Sequence, residues 1–138
     1  MPTIDLVDET FVAADRSLLV TDVADPARWR QWWPDLDLTI FMDRGPDGLR
    51  WNVKGALVGS CELWLEQFRD GVLVHYYLRA DPASGPVDVT TTGGARYAAR
   101  LRTERARLWK RSVWAWKDEL EQGRAAGALG REALTDLG

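Results

Sequence analysis

The chain has 138 residues, 46% of them hydrophobic and 28% charged, with a net charge of −3, one Cys and one His. That length supports one domain around one core. A lone thiol rules out an internal disulfide, and with a single imidazole beside it a Cys/His zinc site cannot be assembled, so no metal is expected.

The chain opens MPTIDLVDETFVAAD, with no basic region ahead of an apolar run. No signal or transit peptide is expected, and the expected location is cytoplasmic. Thr3 to Val12 is β-rich and reads as a first strand. Ala14 to Ala24, with Leu18, Leu19, Val20 and Val23, reads as a helix. Asp25-Pro26 then opens a second helix over Ala27 to Trp33, with Asp as the N-cap and Pro at the first helical position. It stops before Pro34.

Four runs follow, Leu36 to Asp43, Leu49 to Lys54, Ser60 to Phe68 and Val72 to Ala80, separated by RGPDG, GALVG and RDG. These predict consecutive antiparallel hairpins. A turn over RGPD pairs Asp37 with Lys54, Ile40 with Trp51 and Met42 with Leu49. A three-residue turn at Ala56 to Val58 pairs Val53 with Cys61 and Trp51 with Leu63. An Asp70-Gly71 turn pairs Leu63 with Leu78, Leu65 with Tyr76 and Glu66 with His75. All three hairpins divide the sheet into one apolar face and one polar and aromatic face.

Asp81 to Gly94 is turn-rich, with room for a short strand at Val87 to Thr91. Ala95 to Gln122 has a helical pattern, about 40 Å long at about 1.5 Å per residue, and Gly123 is placed to cap it. At about 100° per residue, Tyr97, Ala98, Leu101, Leu108, Trp109, Ser112, Val113, Ala115, Trp116 and Leu120 share one broad apolar arc. Residues 1–123 are therefore read as one domain and 124–138 as an Ala/Gly-rich tail. No stretch approaches the roughly 18 apolar residues of a membrane span.

Charge is segregated. Residues 1–95 carry 8 Lys/Arg against 15 Asp/Glu, and residues 96–138 carry 10 against 6, so the two parts are −7 and +4 and should attract. Arg96 to Arg111 alone would suggest nucleic acid, but the acidic remainder and a pI near 5.2 argue against such a partner. Eight Trp, at 29, 32, 33, 51, 64, 109, 114 and 116, are the unusual feature. Each brings a large apolar area and an indole N–H that needs an acceptor when buried.

Few residues offer chemistry. His75 falls on the polar face opposite Glu66, either as a surface cross-strand pair or, if that face lines a cleft, as a Glu-oriented general base. Cys61 falls on the apolar face, where burial makes a thiol inert. There is no GxSxG, phosphate loop or dinucleotide fingerprint, and no cofactor is expected. Trp114 lies on the polar arc of the long helix and suggests a partner surface, a contact with the 124–138 tail, or partial exposure.

Three segments carry a family resemblance: Ala24-Asp25-Pro26 leading into Trp29 to Trp33-Pro34, Gly59 to Leu65 with Trp64, and His75-Tyr76-Tyr77-Leu78-Arg79-Ala80-Asp81 ahead of the long helix. Over residues 3–123 the chain resembles the START/Bet v 1-like (SRPBCC) superfamily, and in particular its actinobacterial polyketide cyclase/dehydrase and lipid-transport members. The resemblance implies an α+β helix-grip fold: a curved antiparallel sheet wrapped around the long C-terminal helix, two short helices near the N-terminus, and an enclosed apolar cavity. Family members usually have six or seven strands, whereas five are countable here, which implies a smaller or more open cavity.

Three functions follow from that architecture. The first is carriage or sequestration of a hydrophobic small molecule, such as a lipid or polyketide-like aromatic. Trp51, Leu63, Leu65, Tyr76 and Leu78 of the sheet would then face Leu101, Leu108, Ser112 and Trp116 of the helix, with Trp33 on the lid. Arg105, near the middle of the apolar arc, would meet a carboxylate or enolate oxygen of the ligand, or else reach solvent or a carboxylate such as Asp8 or Glu9. The second is a polyketide aromatase/cyclase or dehydratase, for which the apolar face offers Tyr76, Gln67, Arg105 and Ser112 but no defined catalytic set. The third is a structural or interaction module whose Trp residues fill the core. Ligand identity and oligomeric state are not written in the sequence.

Overall fold

The computed structural model describes the backbone of residues 2–137 and the side chains of residues 2–122. In chain order the elements are β1 (Ile4–Val12), α1 (Arg16–Val23), α2 (Pro26–Trp32), β2 (Leu36–Asp43), β3 (Gly48–Gly55), β4 (Leu57–Phe68), β5 (Gly71–Pro82) and α3 (Thr92–Leu137). Their boundaries have local causes. The Asp15 carboxylate accepts from the Ser17 N–H and the Asp25 carboxylate from the Ala27 N–H, capping α1 and α2. Trp33 leaves the helical region at φ −135° and ψ 71°, as a residue before proline must, and α2 ends.

α3 begins earlier than its apolar pattern suggests, because the Thr91 hydroxyl accepts the Gly94 N–H at 3.0 Å. Val87 to Thr91 is not a strand, and the Asp88 carboxylate instead folds it by accepting the Thr90 N–H. The helical backbone also passes Gly123 rather than capping there. A single Gly costs a helix only about 1 kcal/mol relative to Ala. The side chains of the 124–138 tail lie outside the described residues, as does any contact between them and Trp114.

The strands form one open antiparallel sheet in the order β1-β5-β4-β3-β2. β2 and β3 pair in the expected register from Asp37 with Lys54 through Ile40 with Trp51, after which a bulge at Phe41 brings Met42 onto Arg50. The other two hairpins are displaced by two residues from expectation, pairing Trp51 with Cys61, Leu63 with Tyr76, Leu65 with Val74 and Trp64 with His75. Side chains alternate with period two, so this slip leaves every residue on its expected face. Gly71 explains the slip in the β4–β5 hairpin. A side chain there would place its Cβ 2.3 Å from the Val12 carbonyl oxygen of β1, so Gly71 lies in the strand. The turn falls on Arg69-Asp70 instead, with Arg69 at φ +53°.

The inner face of the sheet holds the core. Trp51, Val53, Leu63, Leu65, Val74, Tyr76 and Leu78 are buried beneath Leu19 and Val23 of α1 and Ala98, Trp109, Val113 and Trp116 of α3. α3 is drawn towards β1 by its basic flank. Lys110 meets Asp8 at 2.6 Å, Lys117 donates to the Phe11 carbonyl at 2.7 Å, and Arg102 donates to the Thr3 carbonyl at 3.3 Å. The attraction between the acidic and basic parts of the chain is thus realised along this seam. The same tilt narrows the buried stripe of α3. Tyr97, Leu108 and Ala115, expected to face the sheet, are turned outward.

Candidate functional site

Between the sheet and α3 lies a continuous cluster of aromatic rings. Trp33, on the connection between α2 and β2, is its hub. Its ring is nearly parallel to those of Trp109 (11°, centroids 5.6 Å apart) and Tyr76 (16°, 6.1 Å), and Tyr76 and Trp109 stack at 4.4 Å. Trp51 meets Trp33 edge-on at 5.5 Å and Trp29 at 5.4 Å, and Trp32 joins Trp109 to Trp116. Offset and edge-to-face arrangements of this kind are the favourable geometries for aromatic pairs.

Hydrogen bonding divides the indoles sharply. Trp29 donates to the Val23 carbonyl at 2.6 Å and Trp116 to the Asp22 carboxylate at 2.8 Å. The indole N–H groups of Trp33, Trp51 and Trp109 are buried with no acceptor among the described residues. Trp33 approaches the Tyr76 hydroxyl but falls short of hydrogen-bond geometry. Burial pushes the Tyr76 hydroxyl well above its ordinary value, against the smaller opposing effects of Trp33 and Arg105. Burial likewise raises the Cys61 thiol on the same face of the sheet. Neither group ionises near neutral pH.

Arg105 projects from α3 at the rim of this cluster. It neither reaches solvent freely nor meets Asp8 or Glu9. Its guanidinium makes a two-pronged contact with Asp35, Nη1 to Oδ1 at 3.0 Å and Nη2 to Oδ2. Asp35 lies two residues beyond Trp33, so one short segment carries both the central ring and the carboxylate. A second tie holds α2 from the other end. Arg28 is bound to Glu119 of α3 at 2.7 Å and lies 3.4 Å from Asp22, the acceptor of the Trp116 indole.

Of the residues expected at a ligand site, Trp33, Trp51, Leu63, Leu65, Tyr76, Leu78 and Trp116 are buried together, with Leu101 and Arg105 half-buried at the edge. Leu108 is the correction. It is 42% exposed on the outward flank of α3 and lines nothing inside. Ser112 is half-buried at the outer edge of the ring cluster, in a shallow surface depression shared with Arg28, Trp32, Trp116 and Glu119. The space between the expected sheet and helix walls is occupied by indole rings. Trp32, Trp109 and Asp35 belong to the site but were not among its expected members. Trp109 sits on the apolar arc and was legible there, whereas Asp35 is joined to Arg105 only by the fold. A second depression, of about 240 Å³, opens between α2 and β2 and is lined by Pro26, Trp29, Arg30, Leu36, Asp37 and Leu38. Trp29 in its wall is in edge contact with Trp51.

His75 lies across the sheet from this cluster. It stacks on Trp64 at 4.2 Å, with its Nε2 3.1 Å from Glu66 and its Nδ1 3.7 Å from Glu9. Elsewhere on this outer face Arg50 covers the Phe41 ring, Glu62 meets Arg44 and Arg79 meets Asp5. Among the described residues no group of three or more His, Cys, Asp or Glu is placed to hold a metal ion, and no described helix is long and apolar enough to cross a membrane.

No family model matches the sequence, and no curated protein matches it. Solved structures share the fold. The Aha1 dimer from Colwellia psychrerythraea aligns over 86% of this chain and 96% of its own, with 12% identity and a TM-score of 0.58. The di-domain ARO/CYC StfQ from the steffimycin biosynthetic pathway aligns over 89% of this chain and 52% of its own, with 13% identity and a TM-score of 0.51. At such identities the likeness is one of architecture: the α+β helix-grip arrangement of sheet and long helix.

Proposed function

We propose that the protein binds a flat, largely apolar small molecule carrying carbonyl or phenol oxygens, holding it as a carrier or sequestering agent between the sheet and α3. This reading places the chain with the START/Bet v 1-like proteins that its sequence resembles. The observation that carries it is the set of buried indole N–H groups on Trp33, Trp51 and Trp109 that have no acceptor among the described residues. Leaving a buried donor unsatisfied costs about 1–3 kcal/mol, and native cores keep few such groups. Trp51 and Trp109 adjoin a set of near-parallel rings, so a planar guest with oxygen acceptors would both stack and satisfy these two donors. The Trp33 ring packs against Tyr76 and Trp109 there, and binding therefore requires it to move. The depression beside Trp29 is the natural mouth.

An aromatase/cyclase or dehydratase role would draw on Tyr76, Gln67, Arg105 and Ser112. Tyr76 is held protonated, Gln67 is exposed and donates to the Gly71 carbonyl at 2.9 Å, Arg105 is engaged by Asp35, Ser112 lies in a surface depression, and His75 faces the opposite side of the sheet. The inventory for proton transfer is thin, which favours binding over chemistry.

Titration with a hydroxylated anthraquinone and with a long-chain fatty acid, followed by tryptophan fluorescence and calorimetry, tests the reading. The expected result is saturable one-to-one binding with a negative heat-capacity change, strongest for the planar compound. Absence of binding by either probe, with a crystal structure showing an ordered water on each of the three indoles, would leave a tryptophan-filled structural module in its place.

A further inference from the structure

We infer that Asp35 is an internal stand-in for a ligand carboxylate, so that the molecule bound is an anionic, carboxylate-bearing planar compound that releases the Trp33 ring by taking Asp35's place on Arg105. The inference rests on the binding reading above and adds the ligand's charge and the manner of its admission.

The two halves of the ion pair are built differently. Arg105 has only 12% of its side chain exposed and lies in the apolar arc between Leu101 and Trp109, whereas the Asp35 side chain is 47% exposed and comes from a loop. A guanidinium so placed must keep an anionic partner, because an unpaired buried charge is strongly unfavourable. Its planar fork accepts any carboxylate in the same two-pronged geometry. Asp35, by contrast, already meets water and loses little when released.

The pair is also coupled to the ring cluster. Pro34 links Trp33 to Asp35 stiffly. The Leu36 N–H donates to the Trp33 carbonyl at 3.1 Å and the Ala56 N–H to the Asp35 carbonyl at 3.0 Å. The carboxylate and the indole therefore sit on one short, tied segment. Arg105 lies one helical turn before Trp109, whose ring stacks on Trp33. A neutral guest has nothing to offer Arg105 and must enter with the clasp closed. An anionic guest opens it without leaving Arg105 unpaired.

The test compares an anthraquinone carboxylic acid with its primary amide, which matches it in shape but carries no charge. Wild type should bind the acid at least tenfold more tightly than the amide. Asp35→Asn, which removes the competitor, should tighten the acid about tenfold further and leave the amide unchanged. Arg105→Gln should abolish the preference. Urea denaturation of each variant establishes that it folds, and the Trp33 indole resonance should shift on binding the acid. Equal binding of acid and amide in wild type and Asp35→Asn overturns the inference and leaves the binding reading intact. A complex in which Arg105 still holds Asp35 overturns it as well. If neither compound binds any folded variant, the binding reading falls and takes the inference with it.

Discussion

Asp35 is held below the usual carboxylate range chiefly by its hydrogen bond from Arg105. A carboxyl whose pKa is lowered on folding stabilises the native state at every pH above its unfolded value, near 3.9, and loses that contribution as pH falls through the lower folded value. The urea midpoint of wild type should therefore exceed that of Asp35→Asn equally at pH 7 and pH 5, and the gap should close towards pH 3. A gap that stays constant with pH would mean that the pairing is not what separates the two proteins. Arg105 itself was conspicuous in the sequence as a charge in the middle of an apolar arc. Its partner was not, because the two stand 70 positions apart and meet only when α2 docks on α3. The unsatisfied indoles were equally hidden, since sequence counts donors but not the acceptors that geometry withholds.

At the scale of elements, the helices and strands were largely legible, because turn residues and alternating apolar positions both mark them. The faces of the hairpins survived a two-residue error in register, while the register itself depended on β1 crowding Gly71, a contact between elements distant in sequence. On α3 a regular helical arc overstated the buried surface, since the tilt towards β1 is set by Lys110, Lys117 and Arg102. Two Trp residues five positions apart on this helix now differ in role. Trp109→Ala removes a ring stacked on both Tyr76 and Trp33 and should cost about 3–5 kcal/mol. Trp114, 51% exposed, should tolerate alanine within about 0.5 kcal/mol. Urea unfolding of the two variants checks the contrast, and comparable losses would contradict it.

For the molecule as a whole, the segregation of charge along the chain becomes an arrangement in space. The basic helix lies against acidic groups of β1 and of the α2–β2 connection, through Lys110 with Asp8 and Arg105 with Asp35. Pairs of this exposure contribute about 0–1 kcal/mol each and are screened by salt. Raising NaCl from about 0.05 to about 0.5 M should lower the unfolding free energy by about 1 kcal/mol. A rise would mean that repulsion within the net-acidic chain outweighs the seam. The sequence foretold this attraction and the helix-grip architecture, and it left open whether the Trp rings line a cavity or fill the core, since ring orientation is set only by the fold.

The ring cluster is also a chromophore. Trp29, Trp32, Trp33, Trp51, Trp109 and Trp116 touch in an unbroken chain, so light absorbed by one of them is shared before it is emitted. Trp33 joins the sheet side of that chain to the helix side. Withdrawing its ring splits one coupled array into two, and the circular dichroism of the indole bands changes with it. The position of the Trp33 ring is thus readable optically, without any label.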